Sequence, residues 1–260
     1  MKASVSADLS VKFSIISADP HSMMLISWQI DTERSFKKTV YLCTMRKKFE
    51  ETGLITAESL LQIKAIKLDN ANPFTWASGI KSPIYCDNRR TLSYPKIRTY
   101  IRQEFVKLIN EEYGTVDLIA GVATGAIAIG ALVAQEMGLP FVYIRSEKKG
   151  HGLENQIEGV VESGQSVVVV EDLISTGKSS LNAVQALRDA GCIVKGMVAI
   201  FTYGLSDAEE SFKAANCTLH TLTNYEYLIK KALEQNQIKD SDMQSLIQWR
   251  ENPKKWGLDK

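Results

Sequence analysis

The chain has 260 residues, 31 Lys and Arg against 30 Asp and Glu, and 45% hydrophobic residues. That length and balance suit one α/β core with an appendage, and without a basic stripe and interleaved aromatics nucleic acid is not an expected partner. Four widely spaced cysteines with no CxxC pair, and three scattered histidines, argue against a structural zinc site and fit a reducing, cytoplasmic setting, while no apolar run approaches the ~18 residues of a membrane span.

Residues 1–44 carry no clear period. Met23 to Ile30, interrupted by Ser27 and Gln29, is too short for a convincing signal-peptide core. The stretch is either a genuine extension, disordered on its own, or sequence upstream of a translation start at Met45; the second is the expectation. Leu60, Leu61, Ile63, Ile66 and Leu68 then follow at helix-like spacing. Ser78-Gly79 signals a turn, and Pro83 to Cys86 reads as a short edge strand. By itself this is a hairpin with one exposed lysine, Lys81.

From Tyr94 helix and strand alternate. A helix over Pro95–Tyr113 closes at Gly114, and a strand follows over Leu118–Val122. A helix over Ala126–Met137 leads to a strand over Phe141–Arg145. Four consecutive valines, Val167–Val170, predict a strand buried on both faces. After it come a helix (Ser179–Ala190), a strand (Val194–Thr202), a helix (Ala208–Ala215) and a short strand (Thr218–Leu222). Tyr225–Gln235 and Met243–Trp249 are C-terminal helices expected to pack outside the sheet. Strands separated by helices predict βαβ units and a parallel sheet, with ligands at the carboxyl ends of the strands.

Three turns fall on that rim. The first, Gly121-Val122-Ala123-Thr124-Gly125-Ala126, is built of small residues that let a ligand approach the backbone, or that serve only helix–sheet packing. The second runs from Arg145 through Lys148, Lys149, Gly150, His151 and Gly152 to Gly159. It is glycine-rich and about fifteen residues long, so it is a candidate lid as well as a candidate solvated charge run. The third is Glu171 to Ser179. Its Thr176-Gly177-Lys178-Ser179 resembles the tail of a P-loop, but the position of the required first glycine is Asp172, which excludes that motif. What remains is a predicted strand-to-helix turn over Glu171–Gly177. Its free amides suit a phosphate and its two acids suit hydroxyls, as in a ribose 5-phosphate. An ordinary βα turn with an Asp cap is the plain alternative.

Glu171-Asp172-Leu173-Ile174-Ser175-Thr176-Gly177-Lys178-Ser179 resembles the PRPP-binding signature of the type I phosphoribosyltransferases. In that resemblance the acids hold the ribose hydroxyls, the turn holds the 5-phosphate, and Ala123, Thr124 and Gly125 contact the pyrophosphate, with a cis peptide at Ala123-Thr124. Lys178 departs from the small residue common there and is expected to point to solvent. Arg-x-x-x-Lys-x-His-Gly, with Arg145, Lys149 and His151, resembles the catalytic loop of the orotate branch, which closes over the neighbouring subunit's site. Ser146 stands where some members carry lysine. "SGIKSPIYCD" resembles the hood of the same branch, which covers the base.

The resemblance spans about Glu58 to Trp249 and implies a parallel sheet flanked by helices, an α/β fold with a small N-terminal hood. It divides the chain into 1–44, a hood subdomain over 45–93 and a core with C-terminal helices over 94–260. It implies orotate and PRPP as substrates, Mg²⁺ carried with PRPP near Glu171 and Asp172, and a homodimer with shared sites. Lys149, Asp172, Arg145 and His151 become the catalytic set. Ser78, Gly79, Lys81, Tyr85 and Ser175 become the orotate contacts. Ala77 and Phe201-Thr202-Tyr203-Gly204 depart from members that carry lysine and arginine there, which moves carboxylate recognition to the amides of 78–82 and to Ser175. A purine-specific relative and a non-catalytic PRPP-binding regulator are the alternatives.

Overall fold

The structure is a computed structural model, and it describes residues 49–76, 79–145 and 156–257. The chain divides between residues 47 and 48, and every described residue belongs to the second unit.

A six-stranded sheet forms the centre, in the order β10-β9-β8-β5-β6-β7. Its strands are β5 (Leu118–Val122), β6 (Phe141–Ile144), β7 (Ile157–Glu158), β8 (Ser166–Ile174), β9 (Ile193–Thr202) and β10 (Leu219–Asn224). All neighbours are parallel except β7, which turns back against β6. The valine run explains why β8 is central. Val168 and Val170 enter the hydrophobic core on one face of the sheet, and Val167 and Val169 enter the core on the other. All four are fully buried, as side chains alternating between two covered faces must be.

The helices cover both faces. They are α1 (residues 49–62 of it described), α2 (Pro95–Glu112), α3 (Ile127–Met137), α4 (Lys178–Asp189), α5 (Ser206–Ala214), α6 (Tyr225–Glu234) and α7 (Met243–Glu251). Each predicted core element from Pro95 onward is found within a few residues of its expected bounds. Two expectations are corrected.

The first concerns the helical pattern from Leu60 to Leu68. The helix ends at residue 62 and Ile66–Leu68 is a strand, β1. Lys64 takes a left-handed φ of 55°, and its N–H and that of Ala65 close the helix on the carbonyls of Leu61 and Leu60. This is a C-terminal cap in which lysine stands where glycine is usual, so the stop signal was hidden. The second concerns β8, which does not end at Val170. It pairs with β9 as far as Ile174, opposite Thr202. Glu171 and Asp172 are strand residues, and the turn is only Ser175 to Gly177.

The hood consists of two small antiparallel pairs, β1 with β4 (Ile84–Cys86) and β2 (Phe74–Thr75) with β3 (Lys81–Ser82). A 3₁₀ turn over Asn88–Ser93 joins it to α2. The C-terminal helix α7 packs on the hood: the Trp249 indole is fully buried and donates to the Lys81 carbonyl at 3.2 Å. Among the described residues no helix is long and apolar enough to cross a membrane.

Candidate active site

The carboxyl ends of β5, β6, β8 and β9 bring residues 123–125, Arg145, 175–177 and Tyr203 to one rim. The peptide between Ala123 and Thr124 is cis. Of the two nearby glycines, Gly121 serves packing, since a Cβ there would press on the Ala126 carbonyl and the Phe141 ring. Gly125 serves the site: a Cβ there would overlap the Asp172 carboxylate. Both meanings of that small-residue turn are therefore present, one glycine apart.

The third turn makes an anion cradle. Gly177 sits at φ 77° before α4, and no side chain caps the helix. The backbone N–H groups of Thr176 through Ser180 reach no acceptor among the described residues. Five converging donors at a helix N-terminus favour an anion. Lys178 and Ser179 are exposed and Ser175 is half-buried.

The two acids have unequal surroundings. Glu171 is 5% exposed, and its Oε2 accepts from the Ser180 hydroxyl at 2.8 Å while Oε1 accepts from the Asp172 N–H at 2.9 Å. Burial, and then the charge of Asp172, pushes its carboxyl well above the usual range. Asp172 is also raised by burial, but its hydrogen bond with Glu171 and the charge of Arg89 pull the other way. Both carboxyls are thus shifted upward, Glu171 the more strongly, as expected for two acids side by side in a buried setting. Glu171 supports Asp172 from behind, and Asp172 lies against Gly125. Leu173 and Ile174 lie in β8, with Ile174 fully buried and Leu173 half-buried.

Arg145 ends β6. Its backbone N–H donates to the Gln156 carbonyl at 2.9 Å, and its guanidinium meets Glu158 at 3.5 Å. These bonds bring the two ends of the 146–155 segment together. Lys149 and His151 lie outside the described residues, as does Ser78.

Beside the rim, an open cavity of about 220 Å³ lies between the hood and β8, lined by Thr75, Trp76, Tyr85, Cys86, Leu173, Ser175 and Tyr203. Lys81 stands at its edge, donating to Thr75 Oγ1 at 2.8 Å. Gly79 takes φ 83° in the exposed β2–β3 turn. A hydrogen-bond chain links this cavity to the acids. Cys86 Sγ donates to Asn88 Oδ1 at 3.3 Å, and Asn88 Nδ2 donates to the Asp172 carbonyl at 2.6 Å. Burial pushes the Cys86 thiol well up, so it is the S–H form that donates. Asn88 is 1% exposed. Next to it, Arg89 pairs with Asp87 at 2.6 Å, which holds the Asp87 carboxyl below its usual value.

Sequence reasoning missed Asn88, Arg89 and the cavity walls Trp76, Cys86 and Tyr203. The available signal was the polar run Asp87-Asn88-Arg89-Arg90 directly after an apolar strand. Among the described residues no group of three or more His, Cys, Asp or Glu could hold a metal ion. The donors present, one rim carboxylate with a second behind it, fit a hard cation that takes most of its oxygens from a bound polyphosphate and from water.

The phosphoribosyl transferase domain family matches residues 93–226. An orotate phosphoribosyltransferase of Bacteroides thetaiotaomicron is 60% identical over 204 residues, 78% of this chain and 96% of that protein. Among solved structures, the orotate phosphoribosyltransferase of Aeropyrum pernix superposes with a TM-score of 0.61 at 28% identity, covering 67% of this chain and 96% of that one. Leishmania donovani UMP synthase gives a TM-score of 0.65 at 27% identity, over 77% of this chain and 43% of that longer one.

Proposed function

The chain belongs to the orotate phosphoribosyltransferases, and from that premise we propose that its rim and hood transfer the phosphoribosyl group of PRPP to N1 of orotate. The products are orotidine 5′-monophosphate and pyrophosphate, a step of pyrimidine biosynthesis. The observation that carries the reading is the run of free amides over Thr176–Ser180 directly after the strand that carries Asp172, beside an open cavity walled by the hood.

In this reading the amides of the Ser175–Ser179 turn hold the 5-phosphate, and Asp172, backed by Glu171, accepts from the ribose hydroxyls. Residues Ala123–Gly125 and Arg145 face the pyrophosphate, joined by Lys149 and His151. Ser78, Gly79, Lys81, Tyr85 and Ser175 contact orotate. As the bond to pyrophosphate breaks, the anomeric carbon gains oxocarbenium character, as in glycosyl transfer generally. The protein's part is then to orient the base, stabilise the leaving charge and exclude water. Mg²⁺, when bound with PRPP near Asp172 and Glu171, neutralises charge on the pyrophosphate. The test is direct: orotate, PRPP and Mg²⁺ are mixed with the protein and loss of orotate absorbance is followed, with adenine and hypoxanthine as controls. Turnover of a purine but not of orotate would overturn the proposal.

The same reading makes the protein a cytoplasmic homodimer with shared sites and gives residues 1–44, 45–93 and 94–260 the roles of extension, hood and core. Mixing inactive Lys149→Ala chains with inactive Asp172→Asn chains tests the sharing. Exchange should restore activity toward half of the wild-type level in each mixed dimer. Hybrid dimers that form without activity would show that the 146–155 segment acts within its own chain.

A further inference from the structure

The base cavity has polar groups of two kinds. Three of them are already committed within the protein. The Trp76 indole donates to the Ile84 carbonyl at 3.2 Å, Thr75 Oγ1 receives Lys81, and the Cys86 thiol goes to Asn88. Tyr85, 41% exposed, stands at the mouth. The Ser175 and Tyr203 hydroxyls have no partner among the described residues, and Tyr203 is the more deeply set of the two. It is 2% exposed, yet its hydroxyl meets no hydrogen-bond partner among the described residues. Among the described residues the one buried side-chain atom left without a partner is Arg102 Nε, so the Tyr203 hydroxyl is reached from the cavity that its residue lines. In a pocket it is the group that a ligand completes.

The ring is held so that this hydroxyl cannot turn aside. Trp76 packs at 5.1 Å between centroids, Phe201 edge-on at 5.2 Å and Trp249 edge-on at 5.6 Å. The Tyr203 backbone is tied as well, its N–H donating to the Ile174 carbonyl at 3.2 Å, one residue before Ser175. Burial first, then the neighbouring Cys86, Tyr225, Tyr85 and Asp172, pushes the phenol well above its usual value, so it stays a neutral donor. No cationic side chain lines the cavity among the described residues. The nearest, Lys81, is exposed at the edge. A charged carboxylate is best placed there, beside the cation and water, with the neutral ring pointing inward.

We propose that Tyr203 is a specificity-determining residue for the base: its hydroxyl donates to a ring carbonyl oxygen of the pyrimidine-dione at the inner wall of the cavity. The assignment rests on the transferase reading above. It replaces a charged contact by a locked neutral one, at a position where the sequence departs from arginine-bearing relatives.

Tyr203→Phe removes the hydroxyl and keeps every ring contact. The KM for orotate should rise about 10-fold or more, as expected when a site built around a hydrogen bond loses it. The KM for PRPP, kcat and the thermal midpoint should stay within about 2-fold or a degree or two of wild type. In the reverse direction, the KM for orotidine 5′-monophosphate should rise with that for orotate. An unchanged orotate KM overturns the proposal. So does a parallel rise in both substrate KM values, or a fall in kcat alone. The wild-type protein in the same assay separates the two levels. If it does not consume orotate, the transferase reading fails; if it does and the variant matches it, only the role of Tyr203 fails.

Discussion

The rim and the hood achieve position in opposite ways. The rim sits at the ends of strands paired over many residues, and β8 and β9 stay in register from Val168 to Ile174, beyond one shift between Val167 and Val168. Its ligand-facing groups are largely backbone amides, and their directions follow from the sheet. The hood has strands of two or three residues with no sheet behind them. Distant side chains hold it instead: Trp249 on the Lys81 carbonyl, Ser245 on Asn70, Asn70 on Asp242, and Asn88 on Asp172. A backbone-built site tolerates side-chain change, whereas a side-chain-built one is only as firm as a few bonds. The difference predicts which substrate each mutation will affect.

The largest effect should come at the carboxylate that the rim proposal places on the sugar. Asp172→Asn is expected to lower kcat/KM for PRPP about 100-fold or more, on the scale of losing a charge-stabilising group. The thermal midpoint should change little. PRPP titration by calorimetry checks this, and wild-type affinity would remove Asp172 from the site. A smaller and opposite pattern should follow Trp249→Phe. The Lys81 carbonyl loses its donor, which costs about 1–3 kcal/mol for a buried group. The orotate KM should rise several-fold while the PRPP KM holds. Equal rises in both would show that hood and rim are one unit after all.

The smallest effect should be on stability and its pH dependence. Burial raises the Glu171 carboxyl in the folded protein above its usual 4.5. The folded state therefore binds more protons than the unfolded one between the two values, and stability falls as pH rises through that window. Glu171→Gln should flatten this slope in the ligand-free protein, as seen in thermal melts from pH 4 upward. A slope identical to wild type would mean the proton resides elsewhere.

The contrast also explains what was legible in the sequence. Val167–Val170 and Leu118–Val122 announce their strands because a strand covered on both faces must be apolar throughout. Glycine and hydroxyl residues announce the cradle because backbone geometry demands them there. The reach of β8 past its acids was hidden, since polar residues at a strand end look like a turn. The hood gave fewer: its glycine turn and the short strand ending at Cys86 are legible in the sequence and present in the fold, but what anchors them is not legible. Its anchor Trp249 stands far along the chain from Lys81, and nothing local ties them. Asn88 and Tyr203 escaped for the same reason: each is defined by what it meets across the fold. The expected cis peptide at Ala123-Thr124 is present, while Lys149, His151 and Ser78 fall outside the described residues.

The bond from Asn88 to the Asp172 carbonyl has an evolutionary side. A hood that changes its base could be remodelled freely if it were a separate lid, exchanged like a tool head. Here β4, whose Tyr85 and Cys86 line the cavity, runs within two residues into Asn88, whose side chain donates to the Asp172 carbonyl at 2.6 Å. Any inherited shift of the hood is transmitted to residue 172. With the base in that cavity as proposed, new preferences are open chiefly through changes that leave the β4 backbone in place and alter only side chains lining it, such as those at positions 76, 85 and 203.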